Sequence, residues 1–131
     1  IYDRNMTRML TEQAVDIFQP DLGNSGGFGQ FHELAGLAAA NNIAMAPHNP
    51  NGPLSVAQGL QAMCFIRNGH IFETVGNPAE AELAAELLID PSPVLSKDGY
   101  IDAPKGPGLG VELNLDALEK RSFQRYYQTT R

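Results

Sequence analysis

MAPHNPNGPL, residues 45–54, decides how this chain folds. A run of small and apolar residues, Ile43-Ala44-Met45-Ala46, stops at Pro47, and a histidine then stands between two prolines. Pro53 follows, and proline is tolerated in the first turn of a helix, where its missing N–H has no helical partner to lose. LSVAQGLQAMCFIRN after it therefore reads as a helix, with Val56, Leu60, Met63 and Cys64 as its apolar stripe. A strand that ends at a histidine and passes into a helix is a βα junction.

Two more runs of strand length flank this one. Val15-Asp16-Ile17-Phe18 ends in Gln-Pro-Asp, and His70-Ile71-Phe72 ends at Glu73. Between the first and second lies GQFHELAGLAAANN, where Phe31, Leu34, Ala35 and Ala38 make a helical stripe. The order strand, helix, strand, helix, strand favours parallel pairing with right-handed crossovers, so the fold class is α/β. Residues 1–14 read as a helix before the first strand. NPAEAELAAELLID reads as a helix after the third, with Asn77 as N-cap, Pro78 in the first turn, and Glu80 and Glu82 near the positive end of the dipole.

From Asp90 the texture changes. DPSPVLSKDGYIDAPKGPGLGVELN is punctuated by Pro and Gly, with a turn signal at Asp98-Gly99 and short extended pieces near Tyr100-Ile101 and Val111-Glu112-Leu113. The expected division is thus residues 1–89 as repeated β/α structure and residues 90–131 as a tail.

The residues that close the three runs are Asp21, His48 and Glu73, spaced by 27 and 25 positions. That period is close to one β/α unit of a (β/α)8 barrel, where roughly 250 residues over eight units give about 31 each. All three side chains would then emerge at the carboxyl ends of neighbouring strands, on the face where barrel enzymes do their chemistry.

Composition narrows the class. The chain has 131 residues, 43% hydrophobic and 18% charged, an ordinary globular balance for one domain. Its net charge is −6, and residues 1–119 hold all fifteen acidic groups against five basic ones, which argues against nucleic acid as the main partner. The last twelve residues, KRSFQRYYQTTR, carry four basic groups and no acid, the pattern of a solvated or docking segment. Cys64 is the only cysteine, so no disulfide framework exists, and QAMCFI reads as a packed helix face. No apolar stretch reaches the roughly 20 residues of a membrane span, and IYDRNMTRML does not resemble a signal peptide. The expectation is a soluble cytoplasmic protein with no membrane partner. The sequence opens on Ile1 inside a helical pattern, and further structure is expected upstream of it.

The glycine-rich LGNSGGFG, residues 22–29, lacks the third glycine of a dinucleotide fingerprint and the GK[ST] of a phosphate loop, so it reads as a tight βα loop. His32 lies within a helix and His70 opens a strand, so both read as structural. Neither HxxxH nor CxxC occurs, and this chain by itself offers no metal site. Asp21 and His48 are the acid/base candidates: a carboxylate beside an imidazole holds its tautomer and orients the ring, which makes a working general acid or base.

VDIFQPDLGNSGG, MAPHNPNGPL, IFETVGNP and DGYIDAPKGPGLGVEL, in that order over about residues 10–119, resemble the last part of the mandelate racemase branch of the enolase superfamily. Within it the chain is similar to sugar-acid dehydratases of the galactonate dehydratase type. The resemblance implies the last three strands and helices of a (β/α)8 TIM-type barrel, with a C-terminal extended tail that returns toward a capping domain. It implies Mg²⁺ as cofactor, with ligands on earlier strands, and a sugar acid as substrate. A base removes the proton next to the substrate carboxylate, the metal stabilises the enediolate, and loss of the β-hydroxyl as water gives a 2-keto-3-deoxy acid. His48, paired with Asp21, would be the general acid. Glu73 would hydrogen-bond the substrate carboxylate or enediolate, and Asn49 would touch substrate hydroxyls. Such enzymes commonly form symmetric homo-oligomers, and three open-edged strands need the upstream barrel half and the capping domain to cover them. Two alternatives stay open: a racemase or epimerase of the same branch, with His48 as one of two opposed bases, and a non-catalytic fragment that pairs with another chain.

Overall fold

The computed structural model describes residues 4–50, 52–74, 77–90 and 98–120. Helix α1 (Arg4–Thr11) leads to β1 (Ile17–Phe18), then α2 (Gly27–Ala40), β2 (Ala44–Met45) and α3 (Pro53–Phe65). After these come α4 (Pro78–Leu87), β3 (Leu88–Asp90), β4 (Glu112–Leu113) and α5 (Leu115–Lys120). The basic segment beyond Lys120 lies outside the described residues.

β1 and β2 pair in parallel, Ile17 with Ala44 and Phe18 with Met45, across the crossover helix α2. The α/β arrangement read from the sequence is therefore present. Paired residues share a face of a sheet and successive residues alternate. Phe18 and Met45 lie on the buried face, 5% and 0% exposed, while Ile17 on the other face is 44% exposed. All four stripe residues expected on α2, Phe31, Leu34, Ala35 and Ala38, are buried in one cluster with Leu10, Phe18, Leu22, Ile43 and Met45. Burying side chains of this size stabilises the fold by about 1.5–3 kcal/mol for each large one, which is what holds α2 on the strands.

The third run departs from expectation. Among the described residues its backbone pairs with β2 at one bridge, Met45–Gly69, where the Met45 N–H donates to the Asn68 carbonyl and the His70 N–H donates to the Met45 carbonyl, both at 2.8 Å. Residues 70–72 form no strand. The next rung of that ladder would need an N–H from Pro47, which has none. The proline that ends the β2 run thus also ends its pairing with the third run. Phe72 packs nonetheless: its ring lies so close over Gly59 of α3 that a Cβ there would come within 2.4 Å of it. Asn68 adds a tie, its side-chain amide donating to the Ala35 carbonyl at 3.1 Å and to the Ile43 carbonyl at 2.9 Å.

α3 buries Pro53, Ala57, Gly59, Leu60 and Ala62. The packed face is therefore turned from the expected one, and Cys64, read as buried, is exposed. Helix α4 begins at Pro78, directly after Asn77, as expected. The tail returns to the body of the chain, where β4 pairs antiparallel with β3. The loop from Pro104 to Gly110 is wound tightly enough that a Cβ on Gly110 (φ 74°) would collide with Pro104. The Gln61 side-chain amide of α3 donates to the Pro104 carbonyl at 2.7 Å and to the Leu109 carbonyl at 3.3 Å, clipping this loop to the helix. α5 was not legible as a helix, although Asn114 caps it through a hydrogen bond from the Ala117 N–H at 3.1 Å. Among the described residues, no helix is long and apolar enough to cross a membrane.

Candidate active site

The ladder between β1 and β2 continues past both strands. The N–H groups of Ala44, Ala46 and His48 donate in turn to the carbonyls of Asp16, Phe18 and Pro20, at 3.3, 3.0 and 3.2 Å. It closes on a parallel bridge between Asp21 and His48. The spacing of 27 read from the sequence is thus the register of the sheet itself, because Ile17 and Ala44 differ by the same number. Backbone pairing alone sets Asp21 beside His48.

The side chains meet accordingly. His48 Nδ1 lies 3.6 Å from Asp21 Oδ2, the separation of an ion pair rather than of a direct hydrogen bond. Asp21 is buried, with its side chain 8% exposed, whereas the imidazole is 46% exposed. A turn fixes the carboxylate: the Asn24 N–H donates to Asp21 Oδ1 at 2.9 Å, and the Ser25 N–H donates to the Asp21 carbonyl at 2.8 Å. With Nδ1 facing Asp21, Nε2 is the nitrogen presented away from the pair.

The same turn settles the glycine loop. The N–H groups of Asn24, Ser25 and Gly27 are all used within it, by Asp21 and Leu22. A phosphate cradle needs such groups pointing outward. Gly26 and Gly27 take left-handed conformations, φ 95° and 81°, where the chain turns into α2.

His48 is the exposed residue in a buried strip. Pro47 is fully buried and Asn49 is 3% exposed. The Asn49 N–H donates to Glu73 Oε2 at 3.0 Å. Asp21, His48, Asn49 and Glu73 are therefore brought together, Asp21 on the ring of His48 and Glu73 on the peptide that follows it. The side-chain amide of Asn49 has no hydrogen-bond partner among the described residues. His32 and His70 are exposed and remote from this cluster in role: His32 packs against the Phe65 ring at 5.4 Å, and His70 serves the ladder through its backbone. Sequence reasoning missed Asn24, whose signal was the Asp-x-x-Asn turn after a strand. It also missed Asn68, for which the sequence carries no signal.

No group of three or more His, Cys, Asp or Glu among the described residues could hold a metal ion. Asp21 is committed to His48 and to the Asn24 N–H, so the described residues do not fit a Mg²⁺ site.

The described residues thus form a parallel βα unit with an Asp–His pair at its strand ends. Residues 3–117 match the family described as enolase C-terminal domain-like, and the chain belongs to that family. It is 36% identical over 117 residues to D-galactonate dehydratase of Variovorax paradoxus (strain S110), covering 85% of this chain and 30% of the relative. It is 32% identical over 123 residues to D-galactarolactone cycloisomerase of Agrobacterium fabrum, covering 86% of this chain and 31% of the relative. Among solved structures, mandelate racemase/muconate lactonizing enzyme of Jannaschia sp. CCS1 superposes with a TM-score of 0.75 at 29% identity, covering 95% of this chain and 30% of that one. An enolase of Agrobacterium radiobacter, solved with bound sodium and L-malate, gives 0.76 at 29% identity, covering 98% and 35%. The chain thus spans about three-tenths of the length of the curated relatives it matches.

Proposed function

We propose that this chain carries the general-acid part of a sugar-acid dehydratase, built on the last strands of a (β/α)8 barrel. The observation that carries the reading is the buried Asp21 carboxylate set by backbone register against Nδ1 of the exposed His48. Asp21 faces Nδ1, and in the imidazolium form, with Nδ1–H inward, Nε2–H is the proton that moves, leaving the neutral ring after transfer. After a base removes the α-proton, Nε2–H protonates the β-hydroxyl, the C–O bond breaks, and water leaves. The resulting enol becomes a 2-keto-3-deoxy acid.

Glu73 would hydrogen-bond the substrate carboxylate through Oε1, since Oε2 accepts from Asn49. Asn49, beside His48, would touch substrate hydroxyls through its side-chain amide, which makes no hydrogen bond among the described residues. The α-proton base and the Mg²⁺ ligands are assigned to strands outside this sequence, and no step above is routed through the metal. Relatives named for sugar acids and a sugar-acid lactone support the substrate class, as does malate, a hydroxy acid, bound to a solved relative.

The test is a panel of sugar acids, D-galactonate first, with Mg²⁺ present and keto-deoxy product measured. Product formation that drops at least about a hundredfold in His48→Asn is the expected outcome. Exchange of the α-proton without loss of water would replace the reading with a racemase or epimerase, and a ring-opening or ring-closing product with a cycloisomerase.

A further inference from the structure

The loop that presents His48 has few main-chain donors. Pro47 and Pro50 carry no N–H, so between them only His48 and Asn49 can donate from the backbone. Each does so to a different neighbouring segment: His48 to the Pro20 carbonyl next to Asp21, and Asn49 to Glu73 Oε2. The Asn49 side chain, though buried, adds no hydrogen bond among the described residues. Among the described residues, its peptide N–H is the polar contact that ties Asn49 to a neighbouring segment.

We infer that Glu73 is a positioning residue for His48: its carboxylate anchors the His48–Asn49 peptide from one side while Asp21 holds the ring from the other. The register supports this. Met45 pairs with Gly69, twenty-four positions on, and the same offset sets Glu73 opposite Asn49 and not opposite His48. Glu73 thus reaches the peptide and not the ring. With no strand over residues 70–72, this side-chain bond is the described link between the histidine loop and the third run beyond the Gly69 bridge. The inference deepens the proposed function but needs no substrate to be tested.

Glutamine can accept from the Asn49 N–H as glutamate does, alanine cannot, and aspartate is one methylene too short. Hydrogen exchange at the Asn49 amide should rise at least about tenfold in Glu73→Ala and in Glu73→Asp, and stay within about threefold of wild type in Glu73→Gln. The imidazole nitrogen signals of His48 should move in Glu73→Ala, while those of the exposed His32 and His70 stay in place. Amides of Leu34 and Ala35 in α2 report whether each variant remains folded, and Glu73→Asp decides if the alanine variant does not. Unchanged Asn49 exchange in Glu73→Ala or Glu73→Asp, equal rises in Glu73→Ala and Glu73→Gln, or His48 signals that do not move would overturn the inference. Failure to find a sugar-acid substrate would leave these outcomes intact and would count against the proposed function alone.

Discussion

The two sides of His48 are built differently. Toward β1 the backbone ladder runs unbroken through Asp16, Phe18 and Pro20 and ends with Asp21 in register with the histidine. Toward the third run the ladder stops after one bridge, and a carboxylate completes the contact. One side fixes the ring by pairing of strands, and the other fixes the loop by a side chain. The cause is a single residue, Pro47, which lacks the donor that a second rung toward the third run requires. A strand can thus be continuous with one neighbour and interrupted with the other, because alternate residues serve opposite edges.

This difference can be broken at its strongest point first. Asp21→Asn keeps an oxygen for the Asn24 N–H but removes the charge facing Nδ1, so turnover on a sugar acid should fall about ten- to a hundredfold, with the melting temperature nearly unchanged. Steady-state kinetics beside a thermal melt checks it, and unaltered kcat would separate Asp21 from the chemistry. The next effect is on stability. Asn68→Ala deletes two hydrogen bonds that join the segment before the third run to α2 and to Ile43 ahead of β2, and leaves the Ala35 and Ile43 carbonyls without that donor. A loss of about 2 kcal/mol in denaturant unfolding is expected.

Smaller still is Gly59→Ala. Alanine is about 1 kcal/mol better than glycine within a helix, but the new methyl meets the Phe72 ring, and displacing that ring costs about 1–3 kcal/mol. The net expectation is a loss of about 1 kcal/mol, concentrated on the side of His48 that lacks the backbone ladder. A gain in stability would mean that Phe72 does not pack as described.

Much of this was legible in the sequence, and the parts that were not have a common reason. Periodicity found the α2 core face and the βα order, since both follow from local patterns that tertiary packing reinforced. The spacing of Asp21 and His48 was readable because it equals a backbone register. The length of the third strand was not, because pairing there depends on what the neighbour can donate. Cys64 was misplaced because α3 is apolar on more than one side, and periodicity does not choose between two apolar faces. Glu73 was read as a group for the substrate, and its bond to the Asn49 N–H depends on a one-position difference in register that no motif encodes. α5 was hidden in a segment whose glycines and prolines dominate its texture, although Asn114 and Asp116 give it an ordinary helix start.

The Gln61 clip has a consequence for proteolysis. Lys105 is exposed near the start of the 104–110 loop, with Gly106 after it, and offers trypsin an accessible side chain. A protease must draw several residues into an extended form, and this loop is closed on itself and held at both Pro104 and Leu109 by one amide from α3. The Lys105 bond is therefore protected as long as Gln61 stays in place. Its cleavage rate becomes a clock for the opening of this loop from the third helix.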